Sequence, residues 1–226
     1  MIMKKGSCAW IVSGMVIGLV AVGQTLGQYN PDTKLWLAQK LSHSHDDWTY
    51  AFELNERFYD DLSRWEELYA NIGIVRHLSD GWLVSVFLRM RADKYQSDEE
   101  QIERRLYGNL EHRHRPFRSL ELGFRHRYEY RDFQDAPTKH RFTERIRLSH
   151  PILSSERANL VNGYISDEIY YDLDESQITL HEFQLGAEIP SSWGMYQVFW
   201  GHEINRRDDH YDYHTNILGF EIGWKF

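Results

Sequence analysis

From Thr215 to Phe226 the chain reads Thr-Asn-Ile-Leu-Gly-Phe-Glu-Ile-Gly-Trp-Lys-Phe. Leu218, Phe220, Ile222, Trp224 and Phe226 are large and apolar, and the residues between them, Gly219, Glu221, Gly223 and Lys225, are small or charged. Successive side chains of a strand point to opposite faces, so this period of two describes a β-strand with one apolar side. Any fold for this chain has to give such a strand two different environments.

The same alternation recurs upstream. Segments are expected at Lys34–Ser42, Trp48–Tyr59, Glu67–Leu78, Trp82–Ala92, Arg105–Arg115, Ser119–Arg131, Arg141–Ser149, Asn159–Tyr171, Ile178–Ile189 and Met195–Asn205, with Thr215–Phe226 as the last. Trp82, Val84, Val86, Leu88 and Met90 alternate with Ser85, Phe87, Arg89 and Arg91, and Ser79-Asp80-Gly81 before them is a tight-turn signal. One stretch admits a competing helix, because Ser97 with Glu100 resembles a capping box and Ile102, Leu106 and Leu110 fall at helical spacing. Short turns alternate with polar loops at Gln96–Glu103, Asp132–His140, Asp172–Gln177 and Arg206–His214.

Ahead of the strands, Lys4 and Lys5 precede an apolar run from Ala9 to Val22, which is short for a membrane helix. This is read as a secretory signal peptide over residues 1–27, cleaved after Gly23 or after Gly27, with residues 28–226 forming one domain. The single cysteine, Cys8, lies in the leader, so the mature chain has neither disulfides nor thiolate metal ligands. The formal net charge of −8 becomes −10 once Lys4 and Lys5 are gone, which argues against a nucleic-acid partner. Aromatic residues make up 15% of the chain and charged residues 27%, and the two are interleaved rather than segregated into apolar runs.

These features predict an all-β fold: a single closed antiparallel transmembrane β-barrel with its apolar side toward lipid and its charged side toward a wet interior. Phe220, Ile222, Trp224 and Phe226 form the terminal strand that barrel-insertion machinery would read. The surroundings are then outer-membrane lipid and lipopolysaccharide, in the bacterial outer membrane. Eleven segments are counted, whereas bacterial single-chain barrels have even numbers. The expectation is therefore 10 strands, if the first is incomplete, or 12, if one is hidden between Asp60 and Gly73.

The phase of each strand sends a set of charges inward. From the first half these are Glu53, Arg57, Arg89, Arg91, Glu111 and Arg113. The middle strands add Glu121, Arg125, Arg127, Glu129, Arg145 and Arg147. Glu182, Glu188, Glu203 and Glu221 complete it. Opposite charges on neighbouring staves can pair into ladders, and interlocked side chains would leave little open path. Glu144 and Asp167 fall on the apolar side, which predicts a loop-proximal position or a bulge for each. Most of the eight Trp and fourteen Tyr are expected as interfacial girdles.

Catalytic chemistry finds little support. His202-Glu203-Ile204-Asn205-Arg206 resembles the His-x-Ser-Asn-Gly stretch of outer-membrane phospholipases, but Ile204 stands where the nucleophilic serine belongs. The cluster Asp208, Asp209, His210, Asp212 and His214 resembles the acid and histidine rims of outer-membrane proteases, and His210, Asp212 and His214 could share one strand face and suit a divalent metal. Acidic outer loops are ordinarily solvated or bridged to lipopolysaccharide phosphates, so neither a catalytic residue nor a metal or cofactor is assigned.

The Trp36 strand, the Trp48–Arg57 strand ending in Glu-Arg-Phe, the Leu78-Ser-Asp-Gly-Trp82 turn and the closing His214-Thr-Asn-Ile-Leu-Gly-Phe-Glu-Ile stretch together resemble the bacterial barrel family catalogued as domain of unknown function 2490. That resemblance implies an outer-membrane barrel and supplies no activity. The functional expectation is an outer-membrane protein with a structural or interaction role and a charge-filled lumen. The alternatives are a narrow anion-preferring channel for a small solute and an outer-membrane lipid- or peptide-modifying hydrolase.

Overall fold

The computed structural model describes residues 33–59, 64–79, 81–93, 101–117, 119–154, 159–207 and 211–226. The expected signal peptide, residues 1–27, and the rim candidates Asp208, Asp209 and His210 lie outside these residues. The elements are β1 (Thr33–His45), β2 (Trp48–Tyr59), β3 (Arg64–His77), β4 (Trp82–Asp93), β5 (Gln101–Phe117), β6 (Leu120–Phe133), β7 (Lys139–Ser154), β8 (Asn159–Asp172), β9 (Gln177–Ser191), β10 (Gly194–Arg207) and β11 (Tyr211–Lys225). They form one closed barrel, each strand paired with its sequence neighbours.

The barrel closes with eleven strands, not with 10 or 12. The first segment is a full stave, and the described part of the Asp60–Gly73 stretch, residues 64–73, belongs to β3. An odd count closes because β1 and β11 pair in parallel, from Thr33↔Asn216 to Ser42↔Lys225, whereas every other pair is antiparallel. The parallel ladder is slightly weaker per residue, and side chains reinforce it. Lys40 Nζ lies 2.7 Å from Glu221, Ser42 Oγ donates to Trp224 O at 3.2 Å, and the Phe226 ring stacks on His43 with centroids 5.5 Å apart.

The strands run 12 to 17 residues, longer than expected, because they continue into the polar stretches. Gln101–Leu110, where a helix competes on spacing, is strand, and Glu103, expected in a loop, is buried on β5. One rim carries the short connections after β1, β3, β5, β7 and β9, together with Phe226. The opposite, wide rim carries the connections after β2, β4, β6, β8 and β10, together with the start of β1. At the first short turn Asp46 adopts a φ of 51°, and Gly81 in the second adopts 80°. A Cβ on Gly81 would also sit 2.3 Å from Arg113 O, so a side chain is excluded there twice over.

Apolar side chains face outward and remain exposed on β1 to β10, among them Phe52, Ile72, Leu88, Met90, Leu106, Ile146, Ile165, Leu185 and Val198, while Leu218, Phe220, Ile222 and Trp224 on β11 are half-buried. Trp48, Trp82, Trp193 and Trp224 gather at the short-turn rim, where Trp193 stacks on Trp224. Among the described residues the interior includes a small apolar cluster of Trp36, Tyr164, Phe199 and Ile217. Phe199 lies flat over Gly219 of β11, so a Cβ there would meet its ring at 2.0 Å. Gly219→Ala is expected to cost about 1–3 kcal/mol by overpacking, read as a lower urea midpoint of the refolded barrel. An unchanged midpoint would mean that the ring swings away freely.

Candidate functional site: the charged interior

Because side chains alternate, the residues between the outward apolar positions converge inside. Arg57 on β2 reaches Glu67 on β3 at 3.3 Å, and Arg91 on β4 reaches both Glu67 at 3.0 Å and Glu103 on β5 at 3.2 Å. Arg105 bridges Glu103 at 2.8 Å and Glu129 on β6 at 3.0 Å, and Arg141 on β7 continues the chain to Glu129 at 2.7 Å. This ladder spans six adjacent strands in the wide-rim half. A charge removed from water is tolerated only when paired and hydrogen-bonded, and Glu129, fully buried, meets that condition with Arg105, Arg127 and Arg141.

Amides extend the network. Arg89 Nε donates to Asn71 at 2.7 Å and Asn71 donates to Glu53 at 3.2 Å, while Arg127 Nε donates to Asn109 at 2.7 Å and Asn109 to Ser85 at 2.7 Å. On the other wall Arg125 pairs with Glu168 and Arg147 with Glu188. Glu182 accepts from Gln184 at 2.5 Å, and Glu203 lies 3.7 Å from Lys34.

Of the sixteen charges that the strand phases send inward, fifteen line one of two cavities, and Glu129 is fully buried. Glu221 meets a lysine across the seam. Three further features escape sequence reading. Glu103, Arg105, Arg141 and Glu168 also belong to the interior, and the phases of β5, β7 and β8 could have found them. Aromatic rings share that face: Arg57 stacks over Trp36 at 3.5 Å, Arg147 over Tyr164 at 3.7 Å and Arg89 over Tyr69 at 3.9 Å. Some of the Trp and Tyr therefore hold guanidinium groups in place instead of forming girdles.

The interior is also not filled. A cavity of about 610 Å³ opens in the wide-rim half and one of about 570 Å³ in the short-turn half. Lys40, Arg125, Arg145, Arg147, Gln197 and Glu221 line both and form the waist between them. Seven Lys or Arg and four Glu line the short-turn cavity, so it is electropositive although the chain as a whole is acidic.

The outer face explains the two misplaced acids. Neither Glu144 nor Asp167 coincides with a register shift. Glu144 is met by His126 Nδ1 at 2.5 Å and Asp167 by His181 Nε2 at 2.5 Å. His202 and His214 sit on the outer face with ring nitrogens 3.2 Å apart, and Ile204, which stands at the serine place of the phospholipase pattern, is the cross-strand partner of His214. Among the described residues no group of three or more His, Cys, Asp or Glu is arranged to hold a metal. At the wide rim Lys139 donates to Glu175 at 2.5 Å, which holds that carboxyl below its ordinary range.

The fold and its interior define a closed eleven-stranded β-barrel with an ion-paired lumen. The chain belongs to the family described as protein of unknown function (DUF2490), which matches residues 33–189, from β1 into β9. A search of characterised proteins finds no match.

Proposed function

We propose that this protein is a bacterial outer-membrane barrel, exported through the periplasm by its leader, whose ion-paired interior stiffens the wall for a structural or interaction role. The observation that carries this reading is the inversion of polarity: apolar side chains exposed around the outside, buried Arg and Glu within. A water-soluble barrel would leave those outward side chains in contact with water, whereas a bilayer solvates them. Strands of 12 to 17 residues exceed the 9 to 11 needed to cross, so their ends would stand clear of the hydrocarbon. Lipid, lipopolysaccharide and the insertion machinery are the partners this setting implies. With Phe226 on the periplasmic side, the wide rim faces outward.

A narrow anion-preferring channel is the second reading, favoured by the two cavities and their basic waist. Membrane fractionation combined with heat-modifiable gel mobility tests the first reading, with the folded protein expected in the outer membrane. Recovery wholly in the soluble periplasm would sink it. Planar-bilayer recordings test the second: anion-selective current steps support it, and a silent bilayer removes it.

A further inference from the structure

The waist contains an arrangement that the ion-paired framework does not explain. Arg125 on β6 and Arg145 on β7 are direct cross-strand partners, and both point inward. Like charges placed directly opposite destabilise a sheet, and Arg147, also at the waist, adds a third. Arg125 spends one terminal nitrogen on Glu168, but its Nε is buried with no hydrogen-bond partner among the described residues. Arg147 is engaged by Glu188. Glu111, which faces Arg125 from β5, lies 3.6 Å from Arg113 and within electrostatic reach of Arg145 and Arg125, without a hydrogen bond to either of these two.

Arg145 differs from its neighbours. Arg57, Arg91, Arg105, Arg127 and Arg141 each reach a carboxylate, and Arg89 reaches an amide. Arg145 makes no hydrogen bond or ion pair among the described residues, and it borders both cavities. Glu111, Glu168 and Glu188 surround the three guanidinium groups, yet Arg145 is left without a hydrogen bond among the described residues, at the point where the two cavities meet.

We infer that Arg125, Arg145 and Arg147 form a binding site for a small phosphate-type oxyanion, either inorganic phosphate or a phosphomonoester. This rests on the reading of the interior as a solvent-filled lumen and gives the second functional reading its solute class. Guanidinium forks match phosphate oxygens in pairs. Arg145 and the free Nε of Arg125 can hold the oxygens of one anion, which also relieves their mutual repulsion. The fourth corner of a phosphomonoester then projects into a cavity of about 570 or 610 Å³. A lipid-borne phosphate cannot reach the waist without drawing its acyl chains out of the bilayer.

The test is calorimetric titration of the detergent-folded full chain with inorganic phosphate, beside its thermal unfolding with and without phosphate. Binding in about the millimolar range or tighter is expected, weakened at least about tenfold by Arg145→Gln, a loss of about 1.4 kcal/mol. Because Arg145 gives up no hydrogen bond or ion pair among the described residues and its removal relieves the repulsion with Arg125, the variant should melt no lower than the parent in phosphate-free buffer and lose the phosphate-dependent rise in Tm. Arg145→Lys, which keeps the charge and loses the fork, should bind with intermediate affinity. A parent without phosphate dependence, or an Arg145→Gln variant that keeps it, would overturn the proposal. In a parallel arm, vesicles bearing phosphorylated lipid replace phosphate, and heat from the vesicles alone would also overturn a lumenal site. Phosphate binding by a protein that fractionates as soluble would uphold the site while sinking the membrane reading.

Discussion

Glu129→Ala is expected to lower the stability of the refolded barrel by about 3–5 kcal/mol, the cost of removing one partner from a buried ion pair. Glu129 is completely buried and accepts from Arg105 at 3.0 Å, from Arg141 at 2.8 Å and from Arg127 at 3.4 Å. Without it three guanidinium groups face one another, and only Arg105 and Arg127 keep another acceptor, in Glu103 and Asn109. A typical domain has about 5–15 kcal/mol in total, so the change would consume a large share. The urea midpoint of the detergent-folded protein measures it. Glu129→Gln, which keeps the shape and loses the charge, should retain most of the loss, since the excess positive charge is the cause. A shift below about 1 kcal/mol for both variants would place the network among solvent-screened pairs and remove its stiffening role.

The contrast between strand phase and barrel closure shows what this sequence makes legible. Each strand carries its own orientation, because inward and outward residues alternate within a few positions. Leu88 and Arg89 declare opposite faces with no reference to any other strand. Closure is not local. Nothing in Thr33–His45 or Tyr211–Lys225 by itself states that they pair, still less in parallel, so the segment count of eleven could not be accepted on periodicity alone. The seam contacts, Lys40 with Glu221 and His43 with Phe226, follow only once the register is fixed. Loop lengths escaped for a related reason: Gln101 and Glu103 look like loop residues until Arg91, Arg105 and Arg131 surround Glu103 and make strand the better state. Glu144 and Asp167 are the same case on the outer face, polar residues whose histidine partners lie on adjacent strands.

Leu88→Arg is expected to reduce the stability of the inserted barrel by about 2–4 kcal/mol, the cost of an arginine facing lipid near the bilayer midplane. Leu88 sits mid-way along β4, points outward and is 58% exposed, with Ile72 beside it on β3 and Leu106 on β5. It has no buried cavity to leave and no hydrogen bond to break, so the bilayer is the only source of a large penalty. In water the same substitution should fall within about 0.5 kcal/mol, as for other surface positions, and should improve solubility. Urea-dependent folding into phospholipid vesicles measures the difference, with Ser85→Arg on the inward face of the same strand as the comparison. Ser85 accepts from Asn109 at 2.7 Å, so its replacement disturbs the interior whether or not a membrane surrounds the barrel. The proposed outer-membrane setting requires the Leu88 penalty to appear in vesicles and vanish in its absence. Equal stability of Leu88→Arg and the parent in vesicles would leave the exposed apolar face without lipid as its partner.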